Sequence, residues 1–199
     1  IYFAHELNLV DGNYVVYDLG GGTFDVSIIS IIDDEIEVLT SSGVNKLGGS
    51  DFDLKLLEII STQFKNLSDE DLELGKIHEL IPDVEESKKT LSVRDSAFIT
   101  IMGSKKGRMN FDISRDDFEK SINILITQSE MLCEQAIKDA ELKIEDINEV
   151  LLVGGATRMP IIQQSVEKIF QKTPKTLSNP DEVVALGAAL YAGLQSKDI

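Results

Sequence analysis

The chain has 199 residues, 42% of them hydrophobic, enough for one core of domain size or a core with a satellite. Its 35 acidic residues against 19 basic ones leave a formal net charge of −16, which excludes nucleic acid and anionic membrane surfaces as general partners and reads as solubility. One cysteine, Cys133, excludes an internal disulfide framework and fits a reducing, cytoplasmic setting. No apolar run approaches the roughly 20 residues of a membrane span.

The opening "IYFAHELNLV" lacks a Met, a basic n-region and a cleavage site, so it is no signal peptide. Residues 2–9 have helical spacing and read as the tail of a helix in something longer. Asp11-Gly12 is a turn, and residues 14–19 form a strong strand. After Gly20-Gly21-Gly22, residues 23–32 alternate, with Phe24, Val26, Ile28 and Ser30 on one face and Asp25, Ser27, Ile29 and Ile31 on the other. Asp33-Asp34 turns the chain into a third strand over 36–40, which completes an antiparallel meander. A helix opens near Ser50, with Phe52, Leu56, Ile59 and Ile60 on one side.

Residues 66–82 are polar and read as loop and irregular helix, with Pro82 in the first turn of a helix ending near Leu91. Residues 97–102 and 109–113 form a hairpin across "GSKKGR". Ser114 with Asp117 resembles a capping box before a long amphipathic helix over 118–140, whose apolar stripe includes a buried Cys133. Residues 150–153 are a buried strand ending in Gly154-Gly155. Pro160 starts the next helix, and "NPDEVVALGAALYAGLQ" is the last, capped by Asn179. Its Ala and Gly residues allow close packing. The result is an α/β fold with a βββαβα core, built from residues 1–46 and 118–199, with 47–117 inserted as an α+β part.

Each glycine in a strand-flanked run costs roughly 0.5–1 kcal/mol of order, so three in a row require a reason. A bulged hairpin needs only one or two. Phosphate binding supplies one: backbone N–H groups form a nest for an anion that side chains would obstruct. Thr23 adds a hydroxyl, and Asp18, at the end of a strand, is placed to hold Mg²⁺ through water. A strand follows these glycines, so the pattern is neither a P-loop nor a dinucleotide fingerprint. Gly48-Gly49 before a helix and Gly154-Gly155 after a strand extend the logic to a nucleotide held by backbone from several sides. His5 and His78 are isolated, and no serine has a nearby His, so a zinc site and a triad have no support.

"DLGGGTFDVS", "LGGSDFD", "KKTLS", "LLVGGATRMP" and "NPDEVVALGAA" resemble, in this order, the DnaK-type seventy-kilodalton heat-shock chaperones. The resemblance covers almost the whole chain and falls in lobe II of the family's ATPase domain. It implies an actin-like ATPase fold, with a ribonuclease-H-like base and an inserted upper subdomain, binding ATP or ADP with Mg²⁺. It implies that Gly20, Gly21, Gly22 and Thr23 grip the β- and γ-phosphates, with Asp18 and Asp25 near Mg²⁺ and the attacking water. Gly48 and Gly49 would approach the nucleotide. Glu85, Lys88 and Ser92 would contact ribose and adenine; Gly154, Gly155 and Arg158 would line the phosphate and adenine side; Asp181 would act through water.

Two positions depart from the family's pattern. Ser50 stands where an acid is usual. Lys89 stands where many members place an Arg that sandwiches adenine with Arg158, and a lysine cannot stack as a guanidinium does. The details resemble a specialised bacterial paralogue. The resemblance places the family's first phosphate loop and catalytic lysine before residue 1 and its peptide-binding domain after residue 199. The segment alone is then expected to hydrolyse ATP poorly or not at all. The implied partners are a nucleotide exchange factor, a J-domain co-chaperone and unfolded client peptides. A docking module for co-chaperones is a second reading. A different actin-like ATPase, such as a sugar kinase, is a third, and "GGATRMP" followed by "NPDEVVALGAA" argues against it.

Overall fold

The computed structural model describes residues 9–33, 35–176 and 182–196, with side chains to 193. The helix expected over 2–9 (but for Leu9), His5, Asp34, the Asn179 cap and Asp181 lie outside the described residues. The chain divides into two compact units, Ile1–Gly48 with Thr127–Ile199, and Gly49–Ile126.

The first unit is built on a mixed sheet of order β3-β2-β1-β6-β7. Strands β1 (Gly12–Leu19), β2 (Thr23–Ile32) and β3 (Glu35–Asn45) form an antiparallel meander, while β6 (Ile147–Val153) and the short β7 (Lys175–Thr176) add in parallel. The period of two sorts β1 into two faces. Tyr14 joins Ile29, Ile31, Leu151, Val153 and Val183 in one cluster. Val15, Tyr17 and Leu19 point the other way and are buried too. There Tyr17 packs against Phe24 with ring centroids 4.7 Å apart and the planes tilted by 54°, and its hydroxyl donates to Ser129 Oγ at 3.0 Å. Burial on both faces explains why Val150, Leu151, Leu152 and Val153 of β6 read as an unbroken apolar run.

β3 runs five residues beyond the expected end at Thr40, through "SSGVN". Ser41, Ser42 and Gly43 have little strand propensity of their own; their pairing with Ser27, Val26 and Asp25 decides the matter. A register shift at Ile28/Ile29 reconciles the two halves of the ladder. Helix α4 (Pro160–Phe170) begins with its proline in the first turn, as expected. The last helix, α5 (Val183–Ser196), buries Val183, but its Ala185, Ala188, Ala189 and Ala192 are exposed.

The second unit holds α1 (Gly49–Ser68), α2 (Leu74–Leu91), the hairpin β4 (Ser96–Gly103) and β5 (Gly107–Ser114), and the first part of α3 (Arg115–Asp139). Helix α2 starts eight residues before Pro82, which therefore lies in its interior rather than its first turn. An interior proline costs about 3 kcal/mol. Leu80, Val84, Ser87 and Leu91 form a buried stripe that continues across it, and burying a Leu and a Val is worth about 1.5–3 kcal/mol each. Packing outweighs the broken hydrogen bond. The Glu70 carboxylate ties the hairpin turn down, accepting from Ser104 Oγ at 2.7 Å, Ser104 N at 3.0 Å and Lys105 N at 2.9 Å. Ser114 Oγ accepts from Asp117 N at 3.1 Å and donates to its carboxylate at 2.7 Å, so the helix start is capped. Cys133 is fully buried in the other unit, and burial pushes its thiol pKa up.

Candidate functional site

In the first unit the triple glycine closes the turn between β1 and β2. Leu19 pairs with Phe24 across it, and Gly20 N donates to Thr23 O at 3.1 Å. The positive-φ glycines among the described residues are Gly12, Gly107 and Gly154, so none of the three in this turn needs a left-handed backbone. Nor are Gly21 and Gly22 forced by neighbours, because a Cβ on either would meet nothing within 4 Å. Among the described residues no hydrogen bond engages their N–H groups, and the Gly22 carbonyl accepts from Lys46 N at 3.0 Å. The turn therefore presents two open backbone donors beside the exposed Thr23 side chain. The Gly20 N–H is not a third, being held by Thr23.

A row of small and acidic residues crosses the sheet just below this turn. Asp18 on β1 lies opposite Asp25 on β2, Asp25 lies opposite Gly43 on β3, and Val153 on β6 flanks Asp18. Paired residues share a face, so both carboxylates stand on one side. Gly43 is a residue that sequence reasoning missed, because the strand was ended before it. A Cβ at Gly43 would sit 2.2 Å from Asp25 Oδ1. The missing side chain gives the Asp25 carboxylate its place over β3.

Gly154 has φ +86°, and a Cβ there would lie 2.3 Å from Leu19 O and 3.0 Å from Asp18 Oδ1. Only glycine lets the chain leave β6 so close to β1. A short 3-10 turn, Gly155–Arg158, follows, fastened by Thr157 Oγ1 donating to Gly154 O at 2.6 Å. Gly155 and Arg158 are exposed on it. Gly48 closes the arrangement: its Cβ would fall 2.7 Å from Gly21 C and Gly22 N. Thus Asp18, the glycine turn, Thr23, Asp25, Gly48 and Gly154 are brought together in one unit.

Burial raises the Asp18 pKa above its ordinary value, and the Asp25 charge adds to the shift. The folded state then binds this proton more tightly than the unfolded chain does. Stability falls as pH rises from the unfolded value of about 4 through the raised folded one. Asp18→Asn removes that loss. We expect it to raise the melting temperature of the nucleotide-free protein at pH 7, with an advantage that grows as pH rises through the window. Melting curves across a pH series check this; equal wild-type and variant profiles would contradict it.

In the second unit, Lys88 Nζ meets Asp53 Oδ1 at 2.8 Å and donates to Gly49 O at 2.8 Å. Ser92, just past the end of α2, donates from Oγ to Lys88 O at 3.3 Å. Glu85 and Lys89 pair at 2.9 Å, one helical turn apart on the exposed side. Glu85, Lys88, Lys89 and Ser92 are thus grouped at the C-terminal end of α2, with Gly49 held to them through Lys88.

The donor set fits a hard cation. Two facing carboxylates, one half-buried, suit Mg²⁺, which binds through one or two carboxylates, waters and phosphate oxygens. Among the described residues no three His, Cys, Asp or Glu side chains form an all-protein metal cage. No described helix is long and apolar enough to cross a membrane.

A family model described as Hsp70 protein matches residues 4–199. The chain is 40% identical over 203 residues to the mitochondrial heat shock 70 kDa protein of Pisum sativum, covering 98% of this chain and 30% of that protein. It is 41% identical over 192 residues to the chaperone protein DnaK of Mycoplasmopsis pulmonis, covering 93% and 32%. The DnaK of Thermosipho melanesiensis is likewise 41% identical over 199 residues, covering 93% and 33%. The chain spans about a third of the length of these relatives. The family match takes in all three glycine turns and both acids beneath the first, and this chain belongs to the Hsp70 family.

Proposed function

We propose that this chain is the second lobe of the nucleotide-binding domain of an ATP-dependent molecular chaperone. One observation carries the reading. Gly20, Gly21 and Gly22 have neither a left-handed φ nor a close neighbour that a Cβ on them would strike, so their bareness serves something outside the chain. Residues 1–46 with 118–199 form the base subdomain and 47–117 the inserted one; a division of the chain into two compact units supports an insertion of this kind, with residues 118–126 grouped on its side.

In this reading the N–H groups of Gly21 and Gly22 and the Thr23 hydroxyl donate to the β- and γ-phosphates. Gly20, Gly48, Gly49, Gly154 and Gly155 keep side chains out of their path. Asp25 orients the attacking water, and Asp18 holds Mg²⁺ through bound water. The ion supplies neutralisation of charge on the phosphate oxygens. Phosphoryl transfer rests on such positioning and electrostatic support rather than on covalent chemistry by the protein. Glu85, Lys88, Lys89 and Ser92 contact ribose and adenine, with Arg158 on the adenine side and Asp181 acting through water. Nucleotide state would govern client-peptide binding in a further domain, with an exchange factor and a J-domain partner setting the cycle. These roles, and a cytoplasmic location, rest on the resemblance; the pea relative carries "mitochondrial" in its name.

A single-turnover assay with γ-labelled ATP on the full-length protein tests the reading. Asp18→Asn is expected to slow hydrolysis by about 10²-fold or more, as for loss of an electrostatic group at a phosphoryl-transfer site. Hydrolysis at the wild-type rate would overturn Asp18's role.

A further inference from the structure

The two neighbouring lysines at the end of α2 are held very differently. Lys89 pairs with Glu85 at side-chain exposures of 60% and 48%, and such an i,i+4 surface pair fixes little. Lys88 pairs with Asp53 at exposures of 11% and 18%. A desolvated ion pair adds little net stability, but it fixes geometry. An ammonium has three N–H donors. The ion pair with Asp53 Oδ1 and the donation to the Gly49 carbonyl, each at 2.8 Å, hold this ammonium from two sides. Both restraints come from the first turns of α1, and together they fix where the ammonium sits. Asp53 comes from a different helix, 35 residues earlier, and closes the segment "LGGSDFD".

We propose that Asp53 is a positioning residue of the nucleotide site, its ion pair holding the Lys88 ammonium in place for the nucleoside part of the ligand. The inference rests on the nucleotide reading above and deepens it. Burial pushes the Asp53 carboxyl above its ordinary value, and the contact with Lys88 pulls it back. The lysine thus favours the charged form of the carboxylate that holds it. Without that charge Lys88 retains only the Gly49 carbonyl and can turn away. The phosphate donors at Gly21, Gly22 and Thr23 belong to other elements and do not depend on it.

The test is calorimetric titration of the full-length protein with ADP and, separately, with inorganic tripolyphosphate. Asp53→Asn should weaken ADP roughly tenfold, as for a desolvated charge pair losing one partner, and leave tripolyphosphate within about twofold. Lys88→Met should do the same, and the double variant should be no weaker than Lys88→Met alone. Asp53→Glu, which keeps the carboxylate, should recover part of the loss; it also reads the effect should the Asn variant not fold. A general structural role would weaken both ligands together. Wild-type ADP affinity in Asp53→Asn, an equal loss for both ligands, or additive losses in the double variant would overturn the inference while the nucleotide reading stands. A wild-type protein binding neither probe would overturn both.

Discussion

Gly21→Val in the full-length protein is expected to lose ATP binding and keep its fold. The two halves of that statement come from one measurement of space. A Cβ at Gly21 meets nothing within 4 Å, and the residue has no left-handed φ, so the substitution meets no internal obstacle. The stability change should stay within about 1 kcal/mol, as for surface positions free of special strain. The added side chain instead occupies the space in front of the open N–H groups. Each backbone donor to a phosphate oxygen is worth about 1.5–3 kcal/mol, so losing both Gly21 and Gly22 weakens binding by about 10²-fold or more. Calorimetric titration with ATP and a thermal melt of the same sample read the two halves separately. Unchanged affinity would remove the phosphate-nest argument.

Gly154→Ala should behave in the opposite way. Here a single methyl group is expected to destabilise the fold before any ligand is considered. The backbone at Gly154 has φ +86° and ψ 147°, a region that non-glycine residues occupy at a cost of about 1–3 kcal/mol. The new Cβ would also sit 2.3 Å from Leu19 O, a backbone atom of a central strand that cannot rotate aside. Together these suggest a loss of about 3–5 kcal/mol, or roughly 10 °C in melting temperature for a chain of this size. Differential scanning calorimetry checks the prediction, with Gly21→Ala as the control that should melt near the wild type. Equal melting of the two variants would show that neither the strain nor the clash is real.

These two glycines also show what could be read before the fold was known. Both stood out in the sequence, and phosphate binding was the natural suggestion for each. Their physical reasons differ, and only the backbone angles and neighbours separate them. β1 was legible from its β-branched and aromatic residues and β2 from its alternation, with glycine or acidic turns bounding both. The start of α4 was legible from Pro160, and that of α3 from Ser114 and Asp117. Two features were decided by packing instead. "SSGVN" joins β3 only because β2 lies beside it, and α2 crosses Pro82 only because Leu80 and Val84 bury the same face. Gly43 follows from the first of these: its place under Asp25 appears once the strand is extended. The Lys88–Asp53 pair is invisible to spacing altogether, since its members come together from separate helices.

The central claim is that bare backbone in the β1–β2 turn binds the phosphates of a nucleotide, and amide chemical shifts test it most directly. Backbone ¹H–¹⁵N spectra of the full-length protein would be followed during titration with ADP and Mg²⁺. The account predicts that the Gly21 and Gly22 amides move together, saturably, and among the furthest of all resonances, because their N–H groups exchange water for phosphate oxygen. It also predicts a smaller shift at Gly20, whose N–H is already bonded to Thr23 O at 3.1 Å. Saturable ADP binding that leaves Gly21 and Gly22 unmoved would contradict it.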